Sequence, residues 1–293
     1  MNIQWLKTFI IASKYENFRR TSEELFLTQP AVTKHIKKLE EILNIQLFER
    51  TGKRVSLTPE GHKFLSYARE ITSKYEQGLN EFESWKQGYN RKLIIAVAPQ
   101  IASSILPPIL RDFMDENPDI EVLINVLKSY EIGGEISAGK ADVGLTRIQP
   151  MQTNINSHIV HKDSVILVAP NEFKDTSYLT EQTVLQKYRI ITHNHPDYWD
   201  NLLDDIKRIY PVVHTMKVDQ IEVTKRFIEE GLGVSYLPTT VVKDEIEMNK
   251  LIKIKPDNIT PATSYTYVLT KVETDEISTF INFLKGALSK RFS

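Results

Sequence analysis

The sequence predicts an α/β protein with a short all-α domain at its N-terminus, a long helix after it, and a body of two α/β lobes. Its 293 residues suggest about two domains, at roughly 150 residues each. Apolar residues recur at helical spacing up to residue 90, whereas the rest of the chain alternates short apolar runs with amphipathic stretches. We therefore predict domain boundaries at residues 1–58, 59–88 and 91–293.

Composition excludes several classes of protein. Hydrophobic residues make up 41% and charged residues 26%, which is typical of a globular chain. No cysteine is present, so a disulfide scaffold, a cysteine-ligated zinc and a cysteine nucleophile are excluded. Lys7 interrupts the apolar N-terminal stretch, and no apolar run approaches the ~18 residues of a membrane span. We therefore expect a cytoplasmic protein that does not bind a membrane.

Charge is distributed unevenly along the chain. The net charge is −1, but residues 1–58 hold 10 Lys and Arg against 6 Asp and Glu. Residues 91–293 hold 23 against 27. A mildly basic head followed by an acidic body favours an anion-binding module joined to a separate domain.

The head begins with three predicted helices. Apolar spacing predicts the first over 3–14, and Asn17 is suited to cap a short second helix. A turn at Phe26-Leu27 leads to Thr28, which caps a third helix over 28–40. Its inner face is apolar: Val32, Ile36 and Leu39. Its first turn and outer face are polar or basic: Gln29, Pro30, Thr33, Lys34 and Lys37.

This arrangement is typical of a helix-turn-helix, whose last helix fits the DNA major groove. A three-helix bundle with a solvated outer face is the alternative. Residues 47–58 favour DNA binding, because they predict a β-hairpin with Gly52 at its turn and Arg50, Lys53 and Arg54 near its tip. A basic hairpin beside a recognition helix is a wing, suited to the DNA backbone or minor groove.

The run FRRTSEELFLTQPAVTKHIKKLEEILNIQLFERTGKRVSLTPEGHKFL resembles the DNA-binding head of LysR-type transcriptional regulators. The segments TQPAVTKHIKKLE, LFER and LTPEG match in order. The resemblance implies double-stranded DNA as a partner, with these residues at the groove: Gln29, Pro30, Thr33 and Lys34. It also implies that Lys53 and Arg54 lie on the wing. His35 stands where the family varies and is assigned no base contact.

A long helix is predicted from Thr58-Pro59 to Lys86, which is roughly 40 Å at 1.5 Å per residue. Its apolar residues follow a heptad pattern: Phe64, Ala68, Ile71, Tyr75, Phe82 and Trp85, with Gly78 as a flaw. We expect this seam to pair with a second copy, as a homodimer or within a homotetramer. Packing on its own chain is the alternative. The family resemblance implies a dimerising linker helix.

The body predicts two Rossmann-like lobes. Lobe I, residues 91–162 and 268–293, has a βαβαβ order that predicts a parallel sheet: strands 93–98, 120–127 and 143–146 with helices 103–117 and 130–138. Lobe II, residues 163–267, repeats that order: strands 188–192, 212–218 and 233–237 with helices 198–209 and 221–230. Segments 158–169 and 264–271 are predicted crossover strands, and a last helix, 275–290, returns to lobe I.

Ligands of parallel sheets bind beyond the carboxyl ends of the strands. Those ends carry polar residues suited to a small carboxylate: Gln100, Ser103, Ser129, Thr146, Thr192 and His193. Arg147 is a further candidate, although its side chain could instead pair with a surface acid. The alternative is that the hydroxyls only cap helices. The resemblance implies an effector domain like a periplasmic binding protein, which binds a small metabolite between its lobes.

Metal and enzyme interpretations are disfavoured. His193, His195 and Asp197 could ligate a metal, but Pro196 makes the segment typical of a turn into a helix capped by Asp197. No Gly-rich phosphate loop, G-x-S-x-G or H-E-x-x-H motif occurs, so we predict neither an enzyme nor a cofactor. A solute-binding protein would use the body alone and leaves the helix-turn-helix unexplained.

Three segments resemble, within the LysR family, regulators that repress a citrate synthase gene: ENFRRTSEELFLTQPAVTKHIKKLE, THNHPDYWDNLL and TMKVDQIEVTKRFIEEGLGVSYLP. This resemblance implies a target gene in central metabolism and a small anionic metabolite as the effector. No residue by itself names the gene or the effector.

Overall fold

The computed structural model describes residues 1–51, 54–172 and 179–292. The chain forms two compact units, residues 1–88 and residues 89–293. Within the described ranges, we find no helix with both the length and the apolar character needed to cross a membrane.

The first unit holds three helices and a two-stranded hairpin: α1 (Ile3–Tyr15), α2 (Phe18–Glu24), α3 (Gln29–Leu43), β1 (Phe48–Thr51) and β2 (Arg54–Leu57). The N-cap residues predicted for the second and third helices cap α2 and α3 in the structure. The Asn17 side chain accepts hydrogen bonds from two backbone N–H groups of α2, and Thr28 accepts one from the N–H of Ala31. The apolar face of α3 lies fully in the core of this unit.

The turn between α2 and α3 packs on the core through Leu27 but leaves Phe26 exposed. Phe26 has a φ of 52° and its side chain is 96% exposed. A left-handed conformation is costly for a residue with a Cβ atom, so this turn is a strained entry to α3.

The long helix α4 (Pro59–Lys86) starts at Thr58, whose hydroxyl oxygen accepts a hydrogen bond from the N–H of Gly61. Phe64 packs against the core of this unit, with its ring centroid 5.5 Å from that of Phe9, and Ala68 is fully buried there. The first two positions of the predicted seam are therefore already covered within one protomer. Ile71 is the first seam residue that stays exposed.

Lobe I of the second unit is a mainly parallel sheet with helices on it. Its strands are β3 (Arg91–Val97), β4 (Ile120–Val126) and β5 (Val143–Thr146). Its helices are α5 (Pro99–Ser103), α6 (Leu106–Glu116), α7 (Ser129–Ser137) and α12 (Asp275–Phe292). The strands β4 and β5 pair in parallel with β3 on either side, which confirms the predicted parallel sheet of this lobe.

Two strands continue through both lobes, β6 (Asn156–Pro170) and β11 (Thr263–Thr270), as the crossover prediction required. Lobe II adds three helices before its last strands: α8 (Glu181–Lys187), α9 (Trp199–Ile209) and α10 (Ile221–Glu229). It also holds α11 (Thr239–Glu247) and four strands: β7 (Ile190–Thr192), β8 (Thr215–Lys217), β9 (Ser235–Pro238) and β10 (Leu251–Ile254). The large sheet has the order β10-β6-β11-β5-β3-β4, and β9 also pairs with β6.

Several predicted elements differ from the observed ones. The helix expected over 103–117 is α6, which begins only at Leu106, because Pro107 and Pro108 are tolerated in the first turn of a helix but not later. The short helix α5 before it was not predicted. The helices α8 and α11 and the strand β10 are additions that the sequence did not predict. The strand β10 forms by pairing with the end of β6, a contact that is distant in sequence.

Two glycines in α4 should respond oppositely to the same substitution. An added Cβ atom at Gly61 would lie 2.2 Å from the Leu47 carbonyl oxygen and 2.9 Å from Leu57 Cδ2, whereas at Gly78 nothing lies within 4 Å. We expect Gly61→Ala to lower the free energy of unfolding by about 1–3 kcal/mol through overpacking. We expect Gly78→Ala to raise it by about 0.5–1 kcal/mol, because it removes a helix-interior glycine. Urea titrations followed by circular dichroism measure both, and an unchanged Gly61→Ala midpoint would contradict the close approach.

Candidate nucleic-acid interface and ligand cleft

The outer face of α3 is open in the described structure. Gln29, Pro30, Lys34 and Lys37 are exposed and Thr33 is half-buried. Lys38, on the flank of the same helix, donates to Glu41 at 2.7 Å, whereas no described acid pairs with Lys34 or Lys37. The polar face predicted from the sequence is therefore an accessible surface whose two central ammonium groups are free to meet an anion.

His35 has a structural task on the flank of α3. Its Nδ1 lies 2.9 Å from the Thr8 hydroxyl of α1. Burial and the Lys34 ammonium lower the pKa of His35 below its ordinary value, so the ring is held neutral. This contact ties α3 to α1 and agrees with assigning His35 no base contact.

The wing is anchored by acidic residues of the head. One carboxylate oxygen of Glu40 accepts hydrogen bonds from the N–H groups of Leu47 and Phe48, at 2.8 and 3.2 Å. The strands β1 and β2 pair antiparallel, with Thr51 opposite Arg54. Arg54 thus begins the second strand of the wing, as predicted, and Lys53 lies outside the described residues. The sequence analysis did not identify Glu40 as a contact of the wing, although Glu40 is the last residue of the TQPAVTKHIKKLE motif.

The second unit contains a cavity of about 490 Å³ between its lobes. Three of the predicted effector residues line it, Gln100, Ser129 and His193. Neighbouring residues from both lobes complete most of its wall: Lys128, Tyr130, Asn194, His195, Pro196, Asp219, Gln220 and Glu222. The predicted cleft exists, and its wall includes charged residues that strand-end reasoning missed.

The lobe I wall is built by the start of α7. The Lys128 N–H donates to the Glu131 carboxylate at 3.1 Å, which fixes the first turn of the helix. The Ser129 hydroxyl oxygen accepts a hydrogen bond from the Arg147 N–H at 3.4 Å. Its proton is therefore left to donate at the positive end of a helix. The Lys128 side chain lines the same cavity, with its ammonium 6.0 Å from the centre of the Tyr130 ring.

The lobe II wall is built by the segment after β7 and by the start of α10. His193 adopts a left-handed φ of 65°, and the next residue, Asn194, is buried. The Asn194 side chain donates to the Ser235 hydroxyl at 3.0 Å and accepts from the Trp199 indole at 2.9 Å. The distinctive THNHPDYW segment is thus organised around its central asparagine.

Two hydrogen bonds cross from one lobe to the other at this cavity. The Gln100 side-chain amide donates to the backbone carbonyl of Asn194 at 2.5 Å. The Ser103 hydroxyl donates to Glu222 at 2.8 Å. Each bond joins lobe I to lobe II, so these residues define how far apart the lobes lie in this conformation.

The structure does not bring the remaining predicted effector residues to the cavity wall. Ser103 uses its hydroxyl on Glu222 instead, and Thr192 contacts the His193 ring nitrogen at 2.7 Å. Thr146 donates to the Ser129 carbonyl at 3.2 Å, which supports the start of α7. Strand position predicts where a residue lies but not the direction of its side chain, so these three support the wall rather than line it.

Arg147 is completely buried and also lies away from the cavity wall. Its guanidinium donates to the hydroxyls of Thr266 and Ser264 on β11, at 2.9 and 3.3 Å. Burial lowers the pKa of Arg147 to about 10, against the opposing effect of Asp163. The surface ion pair considered from the sequence is therefore not formed, and Arg147 supports the strands beneath the cleft.

His195 lines the cavity but has both ring nitrogens engaged. Its Nδ1 accepts from the Asp197 N–H at 3.2 Å, so its Nε2 is the nitrogen that donates to the Ser264 hydroxyl at 2.9 Å. Within the described ranges, no three His, Asp or Glu side chains group as metal ligands would. With both nitrogens hydrogen-bonded, the ring has no free lone pair for a metal.

Family models match the chain in two stretches. Residues 3–62 match the model described as bacterial regulatory helix-turn-helix protein, lysR family. Residues 86–289 match the model described as LysR substrate binding domain. Together they account for both units of the structure.

Known proteins resemble the chain along nearly its whole length. In Bacillus subtilis (strain 168), the HTH-type transcriptional regulator CitR is 41% identical over 286 residues, 97% of this chain and 98% of the relative. The uncharacterized HTH-type transcriptional regulator YxjO of the same organism is 38% identical, over 96% of each chain.

Two solved structures share the fold. Vibrio fischeri DarR in complex with DNA has a TM-score of 0.67 at 18% identity, covering 98% of this chain and 99% of that one. Full-length CbnR complexed with its target DNA has a TM-score of 0.66 at 20% identity, covering 98% and 100%.

His195 should make the body sensitive to acid. Burial and the neighbouring Arg147 guanidinium lower the pKa of His195 well below its ordinary 6.5. Below about pH 6.5 the His195 side chain is protonated in the unfolded chain but stays neutral in the folded chain. The free energy of unfolding therefore falls as the pH falls, by at most about 1.4 kcal/mol per pH unit. Urea titrations across this window should show a flatter slope for His195→Gln. The exposed His214→Gln is the matched control, and equal slopes for wild type and His195→Gln would contradict the buried neutral ring.

Proposed function

Because the chain belongs to the LysR family of DNA-binding transcriptional regulators, we propose that it controls a gene of central metabolism in response to a small anionic metabolite. Its 41% identity to CitR over 97% of the chain supports a target of this kind. The resemblance to repressors of a citrate synthase gene names that gene as the first to test, with repression as the sign. The protein then acts in the cytoplasm, beside the DNA it reads.

The observation that carries this proposal is the free polar face of α3. A helix fits the major groove, where Gln reads an adenine edge and Lys a guanine edge. We assign those tasks to Gln29 and Lys34, with Thr33 and Lys37 at phosphates and Pro30 at the helix start. We also propose that Arg54 and Lys53, which the sequence predicts to lie on the wing, add contacts that do not depend on base sequence.

Base-reading residues should affect discrimination more than total affinity. We expect Gln29→Ala and Lys34→Ala each to reduce the preference for the specific site over random DNA by about 1–3 kcal/mol. Lys38→Ala is the matched control, because Lys38 pairs with Glu41 on the same helix. Fluorescence anisotropy at two salt concentrations measures the affinity for the specific site and for random DNA, and hence the preference between them. The docking model fails if Gln29→Ala and Lys34→Ala behave as Lys38→Ala does.

The exposed part of α4 supports a homodimer. Five large apolar side chains on one stripe are 40 to 62% exposed: Ile71, Tyr75, Leu79, Phe82 and Trp85. The rings of Phe82 and Trp85 stack with centroids 5.7 Å apart at the C-terminal end of the stripe. A stripe of this length is suited to the same stripe of a second copy, and the dimer can assemble further to a tetramer.

A charge on this stripe should separate the copies. Phe82→Asp would bury an unpaired carboxylate in the dimer, which is very costly, so we expect the dimer dissociation constant to rise about tenfold or more. Asn80→Asp adds the same charge on the opposite face of α4 and should leave the dissociation constant unchanged. Sedimentation velocity at micromolar concentration measures both. A monomeric native protein, or equal behaviour of the two variants, would contradict the seam.

The interlobe cleft is the proposed site of the metabolite. Its lobe I wall offers the Lys128 ammonium, the Ser129 hydroxyl proton and the positive end of α7, which together suit a carboxylate. Citrate-cycle carboxylates are the first to test, on the strength of the resemblance. A ligand that touches both lobes favours one lobe spacing, by no more than its differential affinity for the two spacings.

A further inference from the structure

Gln100 has an acceptor that nothing in the described structure satisfies. The residue lines the cleft and is only 6% exposed. Its side-chain oxygen, Oε1, is buried and has no hydrogen-bond partner among the described residues. A buried acceptor without a partner is costly, so this atom needs a donor that the described chain does not supply.

A flip of the Gln100 side-chain amide would not remove the unpaired acceptor. Its nitrogen donates to the backbone carbonyl of Asn194, which accepts only. A flipped amide would place two oxygens against each other and lose the bond between the lobes. The unpaired atom of Gln100 is therefore its oxygen, and the missing group is an N–H or an O–H.

Acidic side chains on the lobe II wall also favour a ligand that carries a hydrogen-bond donor. Asp219 lines the cleft, is exposed, and makes no hydrogen bond or ion pair within the described residues. Glu222 lines the cleft as well but is already engaged, by Ser103 and by Lys225 at 2.8 Å. A ligand composed only of carboxylates would find Lys128 and Ser129 on one wall and be repelled by Asp219 on the other.

We propose that the cleft ligand is a carboxylic acid that also carries a hydrogen-bond donor, either a hydroxyl or an ammonium group. This inference rests on the proposed anion site. The carboxylate lies toward Lys128 and Ser129, and the donor is accepted by Gln100 Oε1, with Asp219 beside it. Gln100 already joins the two lobes, so a small movement of that contact lets the ligand's donor reach Oε1. The residue that recognises the donor is therefore also one that sets the distance between the lobes.

Matched acids test this directly. Succinate, malate and aspartate differ only in the hydrogen, hydroxyl or ammonium on one carbon, and tricarballylate and citrate form a second pair. Isothermal titration calorimetry on the full chain should show the donor-bearing acids binding about tenfold or more tightly than their donor-free partners, since sites built for a hydroxyl reject analogues that lack it. Preference for aspartate over malate identifies an ammonium, and the reverse preference a hydroxyl.

Three variants assign the effect. Gln100→Met keeps the side-chain length but has no amide, so the ratio of malate to succinate affinity should fall toward one. Ser103→Ala removes the other bond between the lobes and should keep that ratio. Ser129→Ala should weaken every acid by a similar factor, because it acts on the shared carboxylate.

The outcomes separate this inference from the proposed function. If donor-free acids bind the wild type as tightly as their donor-bearing partners, the donor requirement is wrong and the anion site stands. If no acid of the panel binds at millimolar concentration, the anion site fails and the inference with it. If a wild-type preference survives in Gln100→Met, the donor is accepted elsewhere and the assignment to Gln100 is overturned.

Discussion

The two-lobed body depends on one strand, β6, which is long enough to belong to both lobes. Residues 156–164 pair with β11, apart from a bulge at Val160, and residues 165–170 pair with β9 and β10. Since both lobes are built on this strand, α7 of lobe I and α10 of lobe II start at the same cavity. A cavity between the lobes therefore follows from strand pairing.

A buried polar cluster lies where the paired strands β6 and β11 pass from one lobe to the other. The Ser264 hydroxyl oxygen accepts from Arg147, which follows β5 of lobe I, and from His195, which follows β7 of lobe II. Asp163, opposite Ser264 in the register, accepts from the N–H of Thr240 at 3.0 Å. Polar groups are costly to bury without partners, so the hydrogen bonds that these groups do make fix how the lobes meet beneath the cleft. Above them, Gln100 and Ser103 make the bonds that a ligand can alter.

Local chemistry could be predicted from the sequence because it needs few residues. Asn17, Thr28 and Thr58 are side chains that satisfy the first N–H groups of a helix, and each caps the predicted helix. Position along a strand located the cleft, and with it Gln100 and Ser129. Side-chain direction could not be predicted in this way. Arg147 turns onto β11, a partner more than a hundred residues away in the chain.

Other failures have the same long-range cause. Phe64 fits the heptad pattern of the linker helix, but α1 lies close enough to cover it. The strand β10 has no strong local signal and forms because β6 offers it an edge. Asp219 and Lys128 matter to the cleft because two helices start at one cavity, which only the assembled sheet shows. Prediction thus succeeded for helix caps, for the hairpin and for the order of the strands, and it failed for individual side-chain contacts and added strands that depend on the folded body.

A dimer of this chain should read DNA with two heads together. The most direct measurement is to incubate the purified full chain with sheared genomic DNA, recover the retained fragments and sequence them. Two heads related by a two-fold axis predict that the fragments share an inverted repeat whose half-sites lie about one helical turn, or a multiple of it, apart. Fragments that are a random sample of the genome, with no shared repeat, would contradict specific DNA recognition by paired heads.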